Sequence, residues 1–529
     1  MFFFKFGSKS SSSNSSSELD MSDPVQISKV LGSSWKSFES ETGIRRVIEA
    51  MTKHRYAAAV QESGCGALMK LALSEKDECR NAIIAHGGIE AVMQAMSDHR
   101  DKQGVQQSGA GALGNLAQGS ATASREIGKR DGVDAVLRVL KLGTKASAER
   151  ALQVLANLVS NCNDNRSAIS ESRLEGNGIE LAVGAMRQHP KEAGVQSWGC
   201  ALLANVAGCE ITPQAQTLQA HIFRAGGVDA VLAAMRAHRG NAAVQQRGCL
   251  ALGNITSKGV ECCVSRVLQD GGIEALVAAM RAHAGSEKVQ ARATVALANV
   301  AFESERSQAE MEAAGGTDAV IAAMAAHRKS RAVQRDGCCF LATTLMLARN
   351  TVLPAPKVAA QLAAALAAMA AHPENIDVQK WGCVVAASAA GVVAPKDLGA
   401  VAERFLKERG PELLSAAMAA FARAPELDKW AADALAAFTR AAPAQVAGRV
   451  LAARGVEALE TLLAGAKPGE TDVTLAALEC LTRLCEASEA CRHRLLTLNG
   501  KDTLAGVTAQ NCESVDIVCR ADKLCTLLG

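Results

Sequence analysis

Aromatic residues are scarce: phenylalanine, tyrosine and tryptophan make up 3% of the 529 residues, with a single tyrosine and four tryptophans. A chain so poor in strand formers is not read as a β-sheet protein. With 49% hydrophobic residues and heavy use of alanine, it packs helices closely through small side chains. An excess of one charge is missing too. The 57 basic and 54 acidic residues leave a formal charge of +3, too balanced to point to nucleic acid or a membrane surface. No run approaches about eighteen apolar residues, so no stable membrane insertion is expected. Met1 to Phe6 is interrupted by Lys5 and far shorter than a secretory core, and Phe2 stands where N-myristoylation needs glycine. P-loop, H-E-x-x-H and G-x-S-x-G motifs are absent, so neither a catalytic centre nor a cofactor is expected.

Cysteine, by contrast, is plentiful, at 17 residues. Cys65, Cys200, Cys249, Cys338 and Cys383 hold one repeat position on the apolar side of a helix. They read as small buried hydrophobes in a reducing compartment, cytoplasm or nucleus, and not as a disulfide framework. Cys480, Cys485, Cys491 and His493 form a local cluster whose spacing fits neither a zinc ribbon nor a finger, so no metal is expected.

What the chain does have is a repeat. A block close to G-G-I-E-A-V-x-x-A-M-x-x-H, then V-Q-x-x-G-C-x-A-L-x-N, recurs along it. The valine opening the second half stands at Val60, Val105, Val195, Val244, Val289, Val333 and Val378, so the steps are 45, 90 (two repeats), 49, 45, 44 and 45. A period in the forties predicts an all-α solenoid in which each repeat packs on its neighbours and the core grows lengthwise. Each repeat divides into a short first helix such as 80–86, a glycine corner, a second helix such as 89–99 ending on histidine, and a third such as 104–117. Glycine four places after the valine (Gly64, Gly109, Gly199, Gly248, Gly337, Gly382) costs each helix about 1 kcal/mol, a cost that persists where two helices approach closely.

Residues 1–20 are serine-rich and read as a disordered tail. Residues 21–42 are an N-terminal capping segment, 43–499 the repeats, about ten in number, and 500–529 a closing helix pair. Between Leu347 and Pro356 a proline link replaces the glycine corner, so the eighth repeat has an irregular first helix.

Three helices per unit, the corners Gly226-Gly227, Gly271-Gly272 and Gly315-Gly316, and the A-L-x-N ending resemble the armadillo-repeat family over residues 40–529. The resemblance implies a right-handed superhelix whose third helices line a concave groove. The Met-x-x-His and Val-Gln variant is similar to armadillo stretches of vacuolar-type adaptors and large leucine-rich-repeat kinases. Counting the valine as position zero, position ten is Asn115, Asn157, Asn205, Asn254 and Asn299. The resemblance makes these the amides that hold an extended peptide by its backbone, since an amide offers a donor and an acceptor together. Local capping is the alternative. Nuclear-import receptors place tryptophan four residues earlier; here those positions are Gly111, Gln153, Ala201, Leu250 and Val295, which disfavours a transport carrier.

Position three carries Arg150, Trp198, Arg247, Arg292, Asp336, Trp381 and Trp430. Exposed Trp and Arg are common binding anchors, although the tryptophans could equally fill space between helices. The arginines favour an acidic segment, and Trp381 and Trp430 favour apolar side chains. His54, His99, His189, His238, His283, His327 and His372 close the second helices and read as C-terminal caps, not ligands. Gln61, Gln106, Gln196, Gln245, Gln290, Gln334 and Gln379 read as contacts between repeats. The expected function is a non-catalytic scaffold or adaptor binding extended segments of other proteins; a regulatory or substrate-docking part of a kinase-type assembly is the alternative. Replacing Asn205, Asn254 and Asn299 is expected to weaken binding with little change in melting temperature.

Overall fold

The computed structural model describes residues 22–529 apart from 74–76, 161, 173, 175, 209, 211, 258–259, 302–304 and 468. The serine-rich tail therefore lies outside the described residues. Those described form 32 α-helices and three short 3-10 turns, with no strand. Contacts divide the chain into two units, one ending at His189 and the other running from Pro190 to Gly529.

Repeat 5 shows how the sequence builds one triplet. Thr212 Oγ1 accepts from Ala215 N at 3.2 Å and Pro213 opens the first helix, Pro213–Arg224, a serine/threonine cap followed by proline. The helix stops at Gly226, whose φ of +74° a side chain would resist. The second helix, Gly227–Ala237, buries Val228, Val231, Leu232 and Met235 on one stripe and ends at His238. Asn241 Oδ1 then accepts from Ala243 N and Val244 N, both at 3.1 Å, and starts the third helix, Ala242–Ile255. The corner does not require glycine everywhere: Asp131, Arg409, Arg454 and Asn499 make the same left-handed turn at φ of 57°, 60°, 59° and 60°.

Repeat 2 has helices Asp77–Ala85, Gly88–Asp98 and Gln103–Ala117, close to the periods read from sequence. In repeat 8 the first two helices are one, Ala355–Ala371, followed by Ile376–Gly391. Repeat 9 comprises Leu398–Lys407, Gly410–Ala420 and Pro425–Ala441; repeat 10 comprises Pro443–Ala452, Gly455–Ala464 and Thr471–Ala487. The segment read as a closing pair consists of Gly500–Gln510 and Val515–Leu528, and a short helix, Glu489–Thr497, precedes it, giving the same triplet again. Ahead of the first repeat lie a helix, Pro24–Ser33, and a 3-10 turn, Trp35–Phe38.

Val-Gln, Gly, Met and His belong to one joint. Gln245 Nε2 donates to Met235 O at 2.8 Å and His238 O at 3.0 Å, tying off the end of the second helix. Gln61, Gln106, Gln290, Gln334 and Gln379 do the same at 2.7–3.0 Å. These glutamines thus join two helices of one repeat, not neighbouring repeats as the sequence suggested. The close approach read into the glycine row is to methionine: a Cβ on Gly248 would lie 2.5 Å from Met235 Cγ.

The histidines do reach between repeats. His238 Nε2 donates to Pro190 O at 2.9 Å, His283 to Arg239 O at 2.8 Å, His327 to Ala284 O at 2.7 Å and His372 to Arg328 O at 2.8 Å. In the first unit His99 donates to Arg55 O at 2.9 Å and His189 to Gly143 O at 3.1 Å. Their acceptors are carbonyls of the preceding repeat, not those of their own helix. The five cysteines of the repeat position are fully buried and free. Burial pushes the Cys65, Cys200 and Cys249 thiols up to about 12, so they behave as hydrophobes.

Candidate interaction face

The third helices of successive repeats pack side by side within each unit, so positions three and ten fall into rows on one face. In the first unit, Asn115 Nδ2 donates to Met69 O at 2.8 Å and Asn157 Nδ2 to Gly114 O at 3.2 Å. In the second, Asn254 donates to Ala204 O and Asn299 to Gly253 O, both at 2.8 Å; Asn205 is also engaged. These bonds run to the backbone of the preceding third helix and are not local caps. They lock each amide's orientation and leave one N–H and Oδ1 of Asn254 and Asn299, which are half-buried, for other partners. A bond of this kind contributes about 1 kcal/mol, so the asparagines support the stack as well as lining its face.

Position three holds a sequence of different chemistries. In the first unit Arg150 is half-buried, its Nη1 3.4 Å from Gln153 Oε1. In the second, Arg247 lies over Trp198, its Cζ 3.6 Å from the ring centroid, and donates to Ser197 Oγ at 2.8 Å. Burial holds its guanidinium below the ordinary value. Arg292 is exposed. Next to it, Asp336 is raised by burial, against the pull of Arg335, whose Nε is 2.8 Å from its Oδ1, and of Arg292.

Trp381 and Trp430 are both half-buried. Each carries a lysine on its ring: Lys380 Nζ is 5.1 Å from the Trp381 centroid and Lys429 Nζ 4.5 Å from that of Trp430. The tryptophans therefore offer a cation-covered surface and not the bare apolar one expected. The pairs stand in the sequence as two Lys-Trp dipeptides, a signal that reading the repeat one position at a time passes over. Where the asparagine row lapses, Thr343 bonds back to Cys339 O at 2.9 Å and Ser388 is buried.

One further substitution escapes the repeat pattern. In repeat 9, Leu427 stands for the valine, so Asp428 occupies the slot that glutamine fills elsewhere. It is 2% exposed, and its Oδ2 has no hydrogen-bond partner.

No protein-family model matches the chain, and no curated protein matches it. Among solved structures, the chain is similar to one reported for a conserved phosphorylation switch controlling the interaction between cadherin and beta-catenin. That similarity has a TM-score of 0.67 at 14% identity and covers 96% of this chain and 97% of that one. An engineered protein gives a TM-score of 0.66 at 23% identity, covering 84% of this chain and 99% of its own. At these identities the likeness shows the fold alone: an all-α helical-repeat solenoid.

Proposed function

We propose that the chain is a non-catalytic scaffold of the armadillo type, whose third-helix face between Trp198 and Asn299 receives an extended segment of another protein. The observation that carries this reading is the pair Asn254 and Asn299, each oriented by a 2.8 Å bond to the preceding helix and each retaining a donor and an acceptor. An extended peptide presents both complements along its backbone whatever its sequence. Likeness to a structure concerned with a protein–protein interaction supports the same reading. Charge along this stretch comes from Arg292, since Arg247 is folded onto Trp198.

Helices about 10 Å apart against about 3.3 Å per extended residue give each repeat roughly three ligand residues. An array of acidic, neutral and basic peptides, read at low and high salt, tests the reading. Acidic peptides should bind best at low salt, and Arg292→Glu should weaken them about tenfold, in line with losing a charged anchor. Asn254→Ala with Asn299→Ala should weaken all peptides alike and lower stability by about 1 kcal/mol each, more than the sequence alone suggested. If no peptide binds, or basic ones bind as well as acidic ones and Arg292→Glu changes nothing, the face is not a peptide groove.

A further inference from the structure

A cavity of about 570 Å³ opens between the second helices of repeats 9 and 10, Gly410–Ala420 and Gly455–Ala464, away from the asparagine row. Met418, Ala419, Leu462 and Val473 give it an apolar wall, and Asp428 lies in its lining. Its other charged groups come from each element around it: Arg423 from the turn before the third helix of repeat 9, Arg454 and Glu457 from repeat 10, and Lys467 and Glu470 from the following loop. Two of the carboxylates are occupied. Glu457 Oε1 accepts from Arg494 at 2.7 Å, leaving its Oε2 without a partner, and Glu470 Oε2 accepts from Lys467 N at 3.1 Å. Asp428 Oδ2 is buried and has nothing.

The reason is visible in the repeat. In repeats 1, 2, 5, 6, 7 and 8 a glutamine amide supplies N–H to the end of the second helix. Asp428 brings an acceptor to that place, and no described side chain donates to Met418 O or Phe421 O, the equivalent carbonyls. A buried carboxylate oxygen without a donor is costly. The feature that would relieve it is a cation carrying several N–H groups on an apolar stem, short enough to lie along Met418 and Leu462.

We propose that this cavity is a binding site for a primary alkylammonium, with its charged head on the Asp428 carboxylate and its chain along the apolar wall. The ammonium supplies the N–H that glutamine supplies in the other repeats. Burial, with Glu470 adding to it, pushes the Asp428 carboxyl up to about 7. Binding therefore takes the ionised form directly above that pH and releases one proton below it.

The probe is n-hexylammonium, titrated calorimetrically into the full chain at pH 8.5 and pH 5.5, with n-hexanol as the uncharged match. Saturable binding of the amine is expected at pH 8.5, weakened at least about tenfold at pH 5.5 by the competing proton, with hexanol at least about tenfold weaker than the amine. Asp428→Asn, which restores an amide to the slot, and Ala419→Trp, which fills the cavity and leaves Asp428 in place, should each abolish binding. Absence of saturable binding at pH 8.5 overturns the proposal. So does hexanol binding as well as the amine, or amine binding that survives either substitution.

Discussion

Raising the pH from about 4 to about 8 should destabilise repeat 9 by on the order of 3 kcal/mol, and Asp428→Gln should remove that dependence. The Asp428 carboxyl is raised from an ordinary value of 3.8 to about 7, first by burial and then by Glu470, while the Ala424 backbone opposes the shift. Between those two values the unfolded chain has lost its proton and the folded chain retains it. Stability is therefore fully present below about pH 4 and declines as pH climbs through about 7. Glutamine at the same place titrates nowhere and can donate to Met418 O and Phe421 O as its counterparts do. Melting curves of the two proteins across this range should diverge with rising pH, Asp428→Gln becoming the more stable. Parallel curves would mean that the Asp428 proton carries no free energy.

Gly64→Val should cost about 3 kcal/mol, whereas Gly66→Ala, two residues along the same helix, should stabilise by up to about 1 kcal/mol. Helix propensity treats the two glycines alike. Packing separates them: a Cβ on Gly64 would lie 2.5 Å from Met51 Cγ and 2.7 Å from its Sδ, while a Cβ on Gly66 meets nothing within 4 Å. Met51 is 2% exposed and has no room to withdraw. Combining Gly64→Val with Met51→Ala should cost less than the sum of the two single changes, because each removes the other's clash or void. Hydrogen exchange in repeat 1 reports the effect locally, which a global melt of a repeat array does not. Equal effects at Gly64 and Gly66 would show that the row reflects propensity and not contact.

The period, the helical triplets and the buried stripe were legible because they depend on spacing along one helix. Val244, Gly248 and Leu252 share a face whatever lies opposite, and Val244 and Leu252 are fully buried. Partners 43 to 50 residues away were not legible. Nothing local told that His238 would reach Pro190 O, or that Asn254 would spend one N–H on Ala204 O. The same blindness hid the aromatic pairs: spacing left Trp198 open between an anchor and a space-filler, and its partner Arg247 stands one repeat later. Asp428 was missed for another reason. Leu427 breaks the Val-Gln signature, and with it the register that identifies the slot.

The histidine and asparagine bonds share a direction: His283 and Asn299 of repeat 6 both donate to carbonyls of repeat 5, and His238 and Asn254 behave likewise toward the repeat before them. These two rows are thus polarised like a filament, each acceptor on the earlier repeat and each donor on the later one. A chain made from its N-terminus lays down acceptors first, so each new repeat meets a finished template as it emerges and can add to it without waiting for later sequence. Shortening the chain from its C-terminal side bares carbonyls, while shortening it from the other side strands imidazole and amide donors. Growth and erosion of this array are consequently not mirror images of one another.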